Sequence, residues 1–248
     1  MKTKKWYFTM LWVAALIVAT GIITLSSAKG VRAQQDEAAL EERRVDPWEP
    51  FNDKMFWFNR NVLDRFIVKP AATAWNFVLP TAVQKGVRNV FDNLAVTRRL
   101  VNNLLEANIG GAGREVARFT INSTIGVVGL FDVARDAFGI QQSDADTGAT
   151  FGVWGMRPGP YMILPFLPPL DVRDGIGYAF DAAMTPYVYF IPWYANLGAE
   201  ATNVVNDRSL NLDRYQQVEE SVIDLYSAVR DGYLQRREAK VQAAKNKE

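Results

Sequence analysis

The amino-acid sequence predicts an all-α protein, and three observations lead to this fold class. Apolar residues recur at spacings of three and four along most of the chain, which is the periodicity of one helix face. Prolines suited to the first helical turn precede two of these stretches, at Pro47 and Pro80. No segment alternates apolar and polar residues over enough positions to predict a sheet.

Composition excludes several classes of function. The 248 residues contain no Cys and no His, so disulfides, thiolate or imidazole zinc sites and His-dependent catalytic triads are excluded. The 28 basic and 27 acidic residues nearly balance, which leaves no electrostatic surface for nucleic acid. With 49% hydrophobic and 12% aromatic residues, the chain is suited to burying surface or to meeting a bilayer interface. We expect no enzyme activity, no cofactor and no metal.

The first 33 residues are typical of an export signal. Lysines near the start precede an apolar run over 6–28, and Val31 and Ala33 favour cleavage after Ala33. The run is also long enough to cross about 30 Å of hydrocarbon, so retention as a membrane anchor is the alternative. Residues 34–45 are polar and acidic and predict a solvated linker.

The first predicted helix of the mature chain begins at a capping pattern. Asp46 suits the N-cap, Pro47 the first helical position, and Glu49 closes a capping box. The apolar positions that follow are spaced by three and four: Phe51, Met55, Phe58, Val62 and Phe66. We therefore predict one amphipathic helix through this region.

Further apolar stripes predict helices as far as residue 137. Two of them cover 83–94 and 96–105, the second ending near Gly110. Residues 114–137 are almost uniformly apolar or small, but charged residues bracket the uncharged part at 119–131. That length suits a core helix, a re-entrant hairpin or an interfacial helix better than a membrane span.

The second half of the chain is more varied. Glycines and prolines crowd residues 152–177 and predict a structured loop. An aromatic cluster at 187–194 fits a belt at the level of lipid headgroups or a packed core. A last amphipathic helix is expected around 218–233, before a charged tail that frays. The predicted organisation is a signal at 1–33, a linker at 34–45, a helical domain at 46–237 and a tail at 238–248.

Three apparent motifs have ordinary explanations beside the functional ones. The glycine-rich run 110–114 could cradle an anion at a helix start, but an interhelical turn explains it more simply. The triplet 122–124 matches a glycosylation acceptor within an apolar helix, where coincidence is the better account. Pairs such as Asp132/Asp136 and Asp144/Asp146 could bind metal or exchange protons, but solvated helix ends and loops explain them too.

Several blocks of the sequence resemble the MlaA/VacJ family. They are Asp46-Pro47-Trp48-Glu49-Pro50-Phe51-Asn52, Phe58-Asn59, Leu63-Asp64, Lys69-Pro70, Arg118-Phe119-Thr120-Ile121-Asn122-Ser123-Thr124-Ile125-Gly126, Gly129-Leu130-Phe131-Asp132-Val133-Ala134, Phe151-Gly152, Trp154-Gly155, Gly159-Pro160-Tyr161, Pro165 and Arg173-Asp174-Gly175. Together these blocks follow the family's order over roughly 46–237.

The resemblance implies a phospholipid-trafficking component on the periplasmic side of the outer membrane. Members of this family form a helical ring that lies in the inner leaflet and binds trimeric porins. Phospholipids misplaced in the outer leaflet enter the amphipathic channel of the ring, and a periplasmic carrier of the Mla pathway takes them onward, which maintains lipid asymmetry. Family members are commonly lipoproteins, whereas these 248 residues contain no Cys to lipidate.

The resemblance and the residue chemistry together indicate candidate channel and gate residues: Phe58, Asn59, Asn103, Asn122, Ser123, Gly155 and Gly159. Polar side chains at bilayer depth persist when they face protein or a watered cavity, so the amides are expected to line a polar lane. The alternative is that these amides bridge helices inside a core and that the glycine loop is rigid.

Two other classes of function stay open. A lipid-hydrolysing enzyme would need a nucleophile such as Ser123 in a Gly-x-Ser-x-Gly setting, which Ser123 lacks. A periplasmic scaffold or lipid-binding protein anchored in the inner membrane would need the first 28 residues to be retained.

Overall fold

A computed structural model describes residues 46–246 and confirms the all-α class. The predicted export signal at 1–33 and the linker at 34–45 lie outside the described residues. The chain from Trp48 onward forms one contact unit, which is described here by itself.

Helices make up most of this unit, joined by short turns. The α-helices of the described residues are α1 (Glu49–Phe58), α2 (Lys69–Val78), α3 (Thr81–Leu94), α4 (Val96–Leu105), α5 (Ile109–Thr124), α6 (Val133–Asp136), α7 (Thr147–Val153), α8 (Val172–Ala183), α9 (Trp193–Leu210), α10 (Leu212–Ser221) and α11 (Leu225–Lys245). A π-helix, Asn59–Val68, joins α1 to α2, and a short 3₁₀-helix covers Pro186–Tyr189. Two short antiparallel strands, β1 (Tyr161–Met162) and β2 (Leu170–Asp171), pair within the glycine- and proline-rich segment.

The first helix begins two residues later than its capping pattern predicts. Trp48 is the N-cap and Pro50 lies in the first turn, so the prediction of Asp46 as N-cap is wrong. The backbone then changes from α to π at Asn59, where hydrogen bonds span five residues instead of four. This change of period breaks the continuous apolar face that the sequence predicts. Phe66, the last residue of that predicted face, is 68% exposed.

The next helices follow the sequence pattern more closely. Pro80 is the N-cap of α3, and Asn108 caps α5 by accepting a hydrogen bond from the Gly111 amide at 2.8 Å. The glycine run therefore starts a helix whose first turn already has a side-chain cap. The apolar stretch 114–137 is not one helix, because α5 ends before a tight turn over 125–131.

Helix α11 extends through most of the predicted tail at 238–248. It continues to Lys245, and its Val241 and Ala244 are buried. Arg237 and Lys240 on the same helix form ion pairs with other parts of the protein. The expectation of a fraying tail is therefore wrong as far as Lys245, because these residues have buried and charged contacts to make.

Contacts between elements of this unit form a closed circuit. The π-helix and α2 pack on α9, α9 packs on α3, and α3 packs on α5. Helix α5 packs on α4, α4 on α7, and α7 on α8, which contacts β2. The circuit closes because β1, the partner of β2, is bonded to Asn52 of α1, which continues into the π-helix. Such a closed series agrees with the ring-like helical domain that the resemblance implies.

Burial in this unit is the reverse of what is usual in a soluble protein. Among the described residues, polar and charged side chains outnumber hydrophobic ones at buried positions. The hydrophobic cluster of buried residues is small, and large apolar side chains such as Phe77 (91% exposed) and Phe190 (85% exposed) lie on the surface. None of the described helices has the length and apolar character needed to cross a bilayer.

Candidate functional site

A buried ion pair lies between α4 and α5. Arg99 donates from Nε to Oε2 of Glu115 at 2.7 Å, and both side chains are almost completely buried. Arg99 also donates to the carbonyl of Asp92 at 2.7 Å, and Glu115 accepts from the backbone amide of Ser143 at 2.6 Å. Each charge is therefore both paired and hydrogen-bonded, the condition under which buried ions are tolerated.

Asn103 joins this ion pair to the loop that follows α6. Its amide nitrogen donates to the Arg99 carbonyl and to Oγ of Ser143, both at 2.7 Å, and its oxygen accepts from Asn108 at 2.9 Å. A Cβ on Gly111 would lie 2.0 Å from that oxygen, which shows how closely α5 approaches. The polar atoms of Asn103 thus face protein, and its geometry supports a bridging role.

A second buried pair holds the turn after α5. Arg118 lies 2.9 Å from Asp132 and donates to the Ile140 carbonyl at 2.5 Å. Asn122 donates to Asp132 at 3.0 Å and accepts from the Ala134 amide at 2.9 Å. Burial alone would raise the pKa of Asp132, but the hydrogen bonds from Arg118 and Asn122 outweigh it and lower that pKa. Asn122 and Asp132 therefore fix the path from α5 to α6.

A small polar cavity lies beside both pairs. Its volume is about 10 Å³, which is about the space of one water molecule. Arg99 and Arg118 both line this cavity, and Nη1 of Arg99 and Nε of Arg118 are buried with no hydrogen-bond partner among the described residues. Burial raises the pKa of Asp92, which also lines the cavity, although Arg99 acts against the rise. The cavity is polar but has no room for a lipid headgroup.

Residues 125–131, named here the apolar turn, combine apolar side chains with strained backbone. Val127 and Val128 have φ values of 54° and 58°, a left-handed conformation that β-branched residues rarely adopt. Val128 is 73% exposed. At the end of α5, Ser123 accepts a hydrogen bond from Asn93 at 2.9 Å and so ties α5 to α3 just before the turn. Surrounding contacts thus hold the turn in a conformation that presents apolar groups outward.

Phe58 and Asn59 stand where α1 changes into the π-helix. Asn59 donates to the Leu164 carbonyl at 2.9 Å and accepts from the Phe166 amide at 3.4 Å. Phe166 itself has a φ of 66° and is 77% exposed. Asn59 therefore holds a turn of the loop between β1 and β2 that points an aromatic ring outward.

Asn52 binds the same loop one step earlier. It is fully buried, donates to the Tyr161 carbonyl at 2.9 Å, and accepts from the Ile163 amide at 2.9 Å. An amide that satisfies both backbone groups in this way acts as a one-residue extension of the small sheet. The sequence pattern does not identify Asn52 as a positioning residue; its spacing of seven from Asn59 is the signal that could have done so.

Gly155 and Gly159 both need a left-handed backbone, with φ values of 96° and 73°. The Gly155 amide donates to the Gly152 carbonyl at 3.1 Å, and the Met156 amide donates to the Phe151 carbonyl at 2.9 Å. These two bonds form the Schellman motif that ends α7. Helix termination explains the glycine at 155 without motion, and a role of either glycine in gating stays a prediction.

Charges hold together the place where α7, α8 and α11 meet, named here the three-helix junction. Arg237 donates to Asp146 and to Asp174, in each case at 2.7 Å. Lys240 lies 2.5 Å from Asp146 and 3.0 Å from Asp144. Burial would raise the pKa of Asp146, but Arg237 and Lys240 hold it well below its usual range. The junction is not predicted from the sequence, because the charged composition of the second half of α11 indicates a tail.

A carboxyl group and a close helix contact complete the junction. Asp171 caps α8 by accepting from the Asp174 amide at 2.8 Å, and its own amide donates to the Tyr233 hydroxyl at 2.9 Å. Burial raises the pKa of Asp171 to about 6, and the Asp174 charge adds to the rise. Helices α7 and α8 touch at glycine, since a Cβ on Gly177 would lie 2.4 Å from the Gly148 nitrogen.

An aromatic surface lies at residues 189–194. Tyr189, Phe190, Trp193 and Tyr194 are between 64% and 85% exposed. The sequence around them carries no charged residue between 181 and 200. Aromatic side chains of this kind are enriched where a protein meets the headgroup level of a bilayer.

The carboxylates singled out by the sequence are engaged by cations. Asp132 faces Arg118, and Asp144 and Asp146 face Lys240. Among the described residues, no group of three or more acidic side chains is placed to hold a metal ion.

The helical unit has a charged and amide-rich interior inside an apolar surface. Such a helical unit defines a membrane-associated protein, because its outer surface matches lipid rather than water.

The sequence model of the MlaA lipoprotein family matches residues 44–240, and the chain belongs to this family. It is 33% identical to the intermembrane phospholipid transport system lipoprotein MlaA of Escherichia coli over 198 residues, which cover 79% of this chain and 78% of that protein. An uncharacterized protein of Rickettsia felis is 34% identical over 202 residues, covering 81% of this chain and 80% of that protein. A solved structure described as "Structural basis for maintenance of bacterial outer membrane lipid asymmetry" has a TM-score of 0.71 and 30% identity, covering 79% of this chain and 99% of that one.

Proposed function

We propose that this protein moves intact phospholipid out of the bacterial outer membrane as part of an intermembrane transport system. The observation that carries the proposal is the reversed burial: paired charges and amides lie inside, and large apolar side chains lie outside. This distribution suits a bilayer, where acyl chains meet the apolar surface and internal pairing satisfies the polar groups. The similarity to the E. coli transport lipoprotein supports the same role.

The protein lies in the inner leaflet of the outer membrane, on its periplasmic side. The aromatic surface at 189–194 sits at headgroup level and helps to hold it there. It removes phospholipids misplaced in the outer leaflet and passes them to a periplasmic carrier of the Mla pathway, with a trimeric porin as membrane partner. No bond of the lipid is made or broken, so this role needs no enzyme activity.

Phe58, Asn59 and Ser123 border the lipid path in this proposal, and Gly155 and Gly159 shape its gate. The support comes from Asn59, which fixes the exposed turn at Phe166, and from Ser123, which lies directly before the apolar turn. The buried amides Asn103 and Asn122 do not border the lipid path in this proposal. They position the loop at Ser143 and the start of α6, which lie behind it.

Phospholipid in the outer leaflet, labelled in whole cells with a membrane-impermeant amine reagent, tests the function. Deleting the gene for the whole chain should raise the amount of phosphatidylethanolamine that is labelled, and re-expressing the parent chain should return that amount to its original level. Deleting Phe58 and Asn59 removes the bonds to the Phe166 turn and shifts the π-helix, so labelling should differ from the parent although the protein is present. Asn59→Ala should act in the same direction, whereas Asn61→Ala, which loses only a local bond to the Trp57 carbonyl, should not.

Unchanged labelling after deletion of the whole chain would contradict the proposal. Recovery of the protein in inner-membrane fractions would favour an anchored scaffold. Release of fatty acid from phospholipid by the purified protein would favour an enzyme.

A further inference from the structure

A groove of about 790 Å³ opens between α5 and the loop that follows α6. The helix wall consists of Gly113, Arg114 and Ala117, and the loop wall consists of residues 139–144. Sites for small molecules commonly have volumes of about 300–1,000 Å³, so the groove is large enough for a lipid headgroup and the start of its chains.

The buried network described above holds the two walls in place. The Ser143 amide donates to Glu115 at 2.6 Å, and Oγ of Ser143 accepts from Asn103 at 2.7 Å. The Ile140 carbonyl accepts from Arg118 at 2.5 Å. Three bonds from buried side chains therefore fix the loop against α5, and the groove is formed before any ligand arrives.

The groove carries one positive charge, on Arg114, that has no ion pair within the described part of the chain. Arg114 is exposed and makes no hydrogen bond or ion pair among the described residues, whereas Asp144 at the other wall is bonded to Lys240 at 3.0 Å. Gln141 and Gln142, whose side chains are exposed, also line the groove. A guanidinium group matches the geometry of a phosphate, because its parallel N–H donors reach two oxygens.

The helix wall becomes apolar toward the end of α5. Gly113 and Ala117 share a face with Ile121 and Ile125, since residues four apart lie above one another on a helix. Ile125 is 62% exposed and begins the apolar turn. One continuous surface therefore leads from a charged groove to exposed apolar side chains.

We propose that this surface binds a single glycerophospholipid, with its phosphodiester on Arg114 and its acyl chains along Ile121 and Ile125. The polar headgroup beyond the phosphate lies between Gln141 and Gln142. The inference rests on the proposed function and names a holding site for the lipid that is being moved.

The absence of Cys from the chain allows a single reporter. Thr120→Cys, one turn from Ala117 on the exposed side of α5, can carry an environment-sensitive fluorophore on the full chain in a non-ionic detergent. Dihexanoylphosphatidylethanolamine should change its fluorescence in a saturable manner. Gly113→Leu should abolish this change, because a Cβ at Gly113 meets nothing within 4 Å and the side chain enters the groove without a clash.

Matched controls separate the groove from general effects. Gly232→Leu lies on α11, where a Cβ also meets nothing within 4 Å, and should bind like the parent. Arg114→Gln should weaken binding about tenfold through loss of a charged hydrogen bond. Arg236→Gln, another exposed arginine, should change nothing.

Three further probes identify the ligand class. Inorganic phosphate and glycerophosphoethanolamine lack the acyl chains, and dihexanoylglycerol lacks the phosphate, so each should bind at least about tenfold more weakly than the phospholipid. Equal binding of either water-soluble probe would overturn the proposal in favour of an anion site. Equal binding of dihexanoylglycerol would overturn it in favour of an unspecific apolar surface.

The proposal and the function can fail separately. If Gly113→Leu binds lipid like the parent, the groove is not the site, while restoration of labelling by the parent chain still supports transport. If whole-chain deletion leaves outer-leaflet phospholipid unchanged, transport is wrong whatever the groove binds. Loss of binding with Gly113→Leu and retention with Gly232→Leu is the result that we expect.

Discussion

The three-helix junction and the apolar turn are both held by arginine–aspartate pairs, yet they hold different things. At the junction, Arg237 and Asp146 are 12% and 18% exposed and clamp helices that already touch through glycine. At the turn, Arg118 and Asp132 are 5% and 7% exposed and restrain backbone that is strained and apolar at the surface. An arginine–aspartate pair thus secures an unstrained helix contact at the junction and a strained surface at the apolar turn. The more deeply buried pair, Arg118 with Asp132, is the one that supports the strained surface.

Arg118→Met should lower the stability of the protein more than any other substitution considered, because it removes the buried ion pair that holds the apolar turn. Removing Arg118 leaves the buried Asp132 charge with only the half-exposed Arg135, at 3.5 Å, as its cation, which costs up to about 3–5 kcal/mol of stability. We expect a lower melting temperature in detergent and faster hydrogen exchange over 125–140. Arg135→Met, at an arginine of α6 that is about half exposed, should cost less than about 1 kcal/mol. Equal melting of the two variants would contradict the deeper pair's role.

Gly177→Ala should break the junction by a different route. The added methyl group would overlap the Gly148 backbone, which cannot move as a side chain can, so α7 and α8 must separate. The expected loss of stability is about 3 kcal/mol. Gly198→Ala in α9, where a Cβ meets nothing within 4 Å, should be neutral or stabilising by up to about 1 kcal/mol. Denaturant unfolding of both variants measures the difference.

Asp171 should give the junction a pH dependence opposite in sign to the one that the lowered pKa of Asp132 gives the turn. The pKa of Asp171 is about 6 in the folded protein, above the ordinary aspartate value of 3.8, so between these values the folded state keeps a proton that the unfolded chain releases. Stability should therefore fall as pH rises from about 4 to about 6, by at most about 3 kcal/mol. Asp171→Asn keeps the cap of α8 but cannot titrate, so its unfolding free energy should lack this part of the slope. Parallel pH profiles of variant and parent would show that Asp171 is not the source.

Asp144→Asn should change the stability of the protein least, and it tests whether burial decides the strength of these ion pairs. Asp144 shares Lys240 with Asp146 but is 87% exposed, and exposed pairs contribute little. We expect a change in stability below about 0.5 kcal/mol and unchanged outer-leaflet phospholipid in cells. A loss comparable to that of Arg118→Met would mean that exposure does not decide the strength of these pairs.

The sequence predicted what depends on local pattern. The helix after Pro80, the helix at 96–105 and the all-α class follow from apolar spacing and from proline at a helix start. The spacing was less successful where tertiary contacts decide. The π-helix at Asn59–Val68 has a period that the apolar pattern does not show, and α11 continues to Lys245 because distant acids pair with its basic residues.

The polar interior could not be predicted for a physical reason. Asn52 and Asn59 find their partners more than 100 residues away, and nothing in the local sequence marks those carbonyls and amides. Asn103 and Asn122 stand out in the sequence because amides within apolar helices are unusual, but the sequence does not distinguish a bridging amide from one that lines a path. Only the partner atoms distinguish the two.

Because burial is reversed, the folding free energy of this protein depends on the lipid or detergent that surrounds it. In water the hydrophobic effect drives a chain to hide its apolar groups, and this fold leaves them outside. Much of the favourable free energy is therefore released only when the finished surface meets lipid, so insertion and the last steps of folding form one reaction. The free energy of unfolding then belongs to the protein together with its amphiphile, and it should change with the acyl chain length of the detergent. Without an amphiphile or a holding chaperone, the same chain is expected to aggregate.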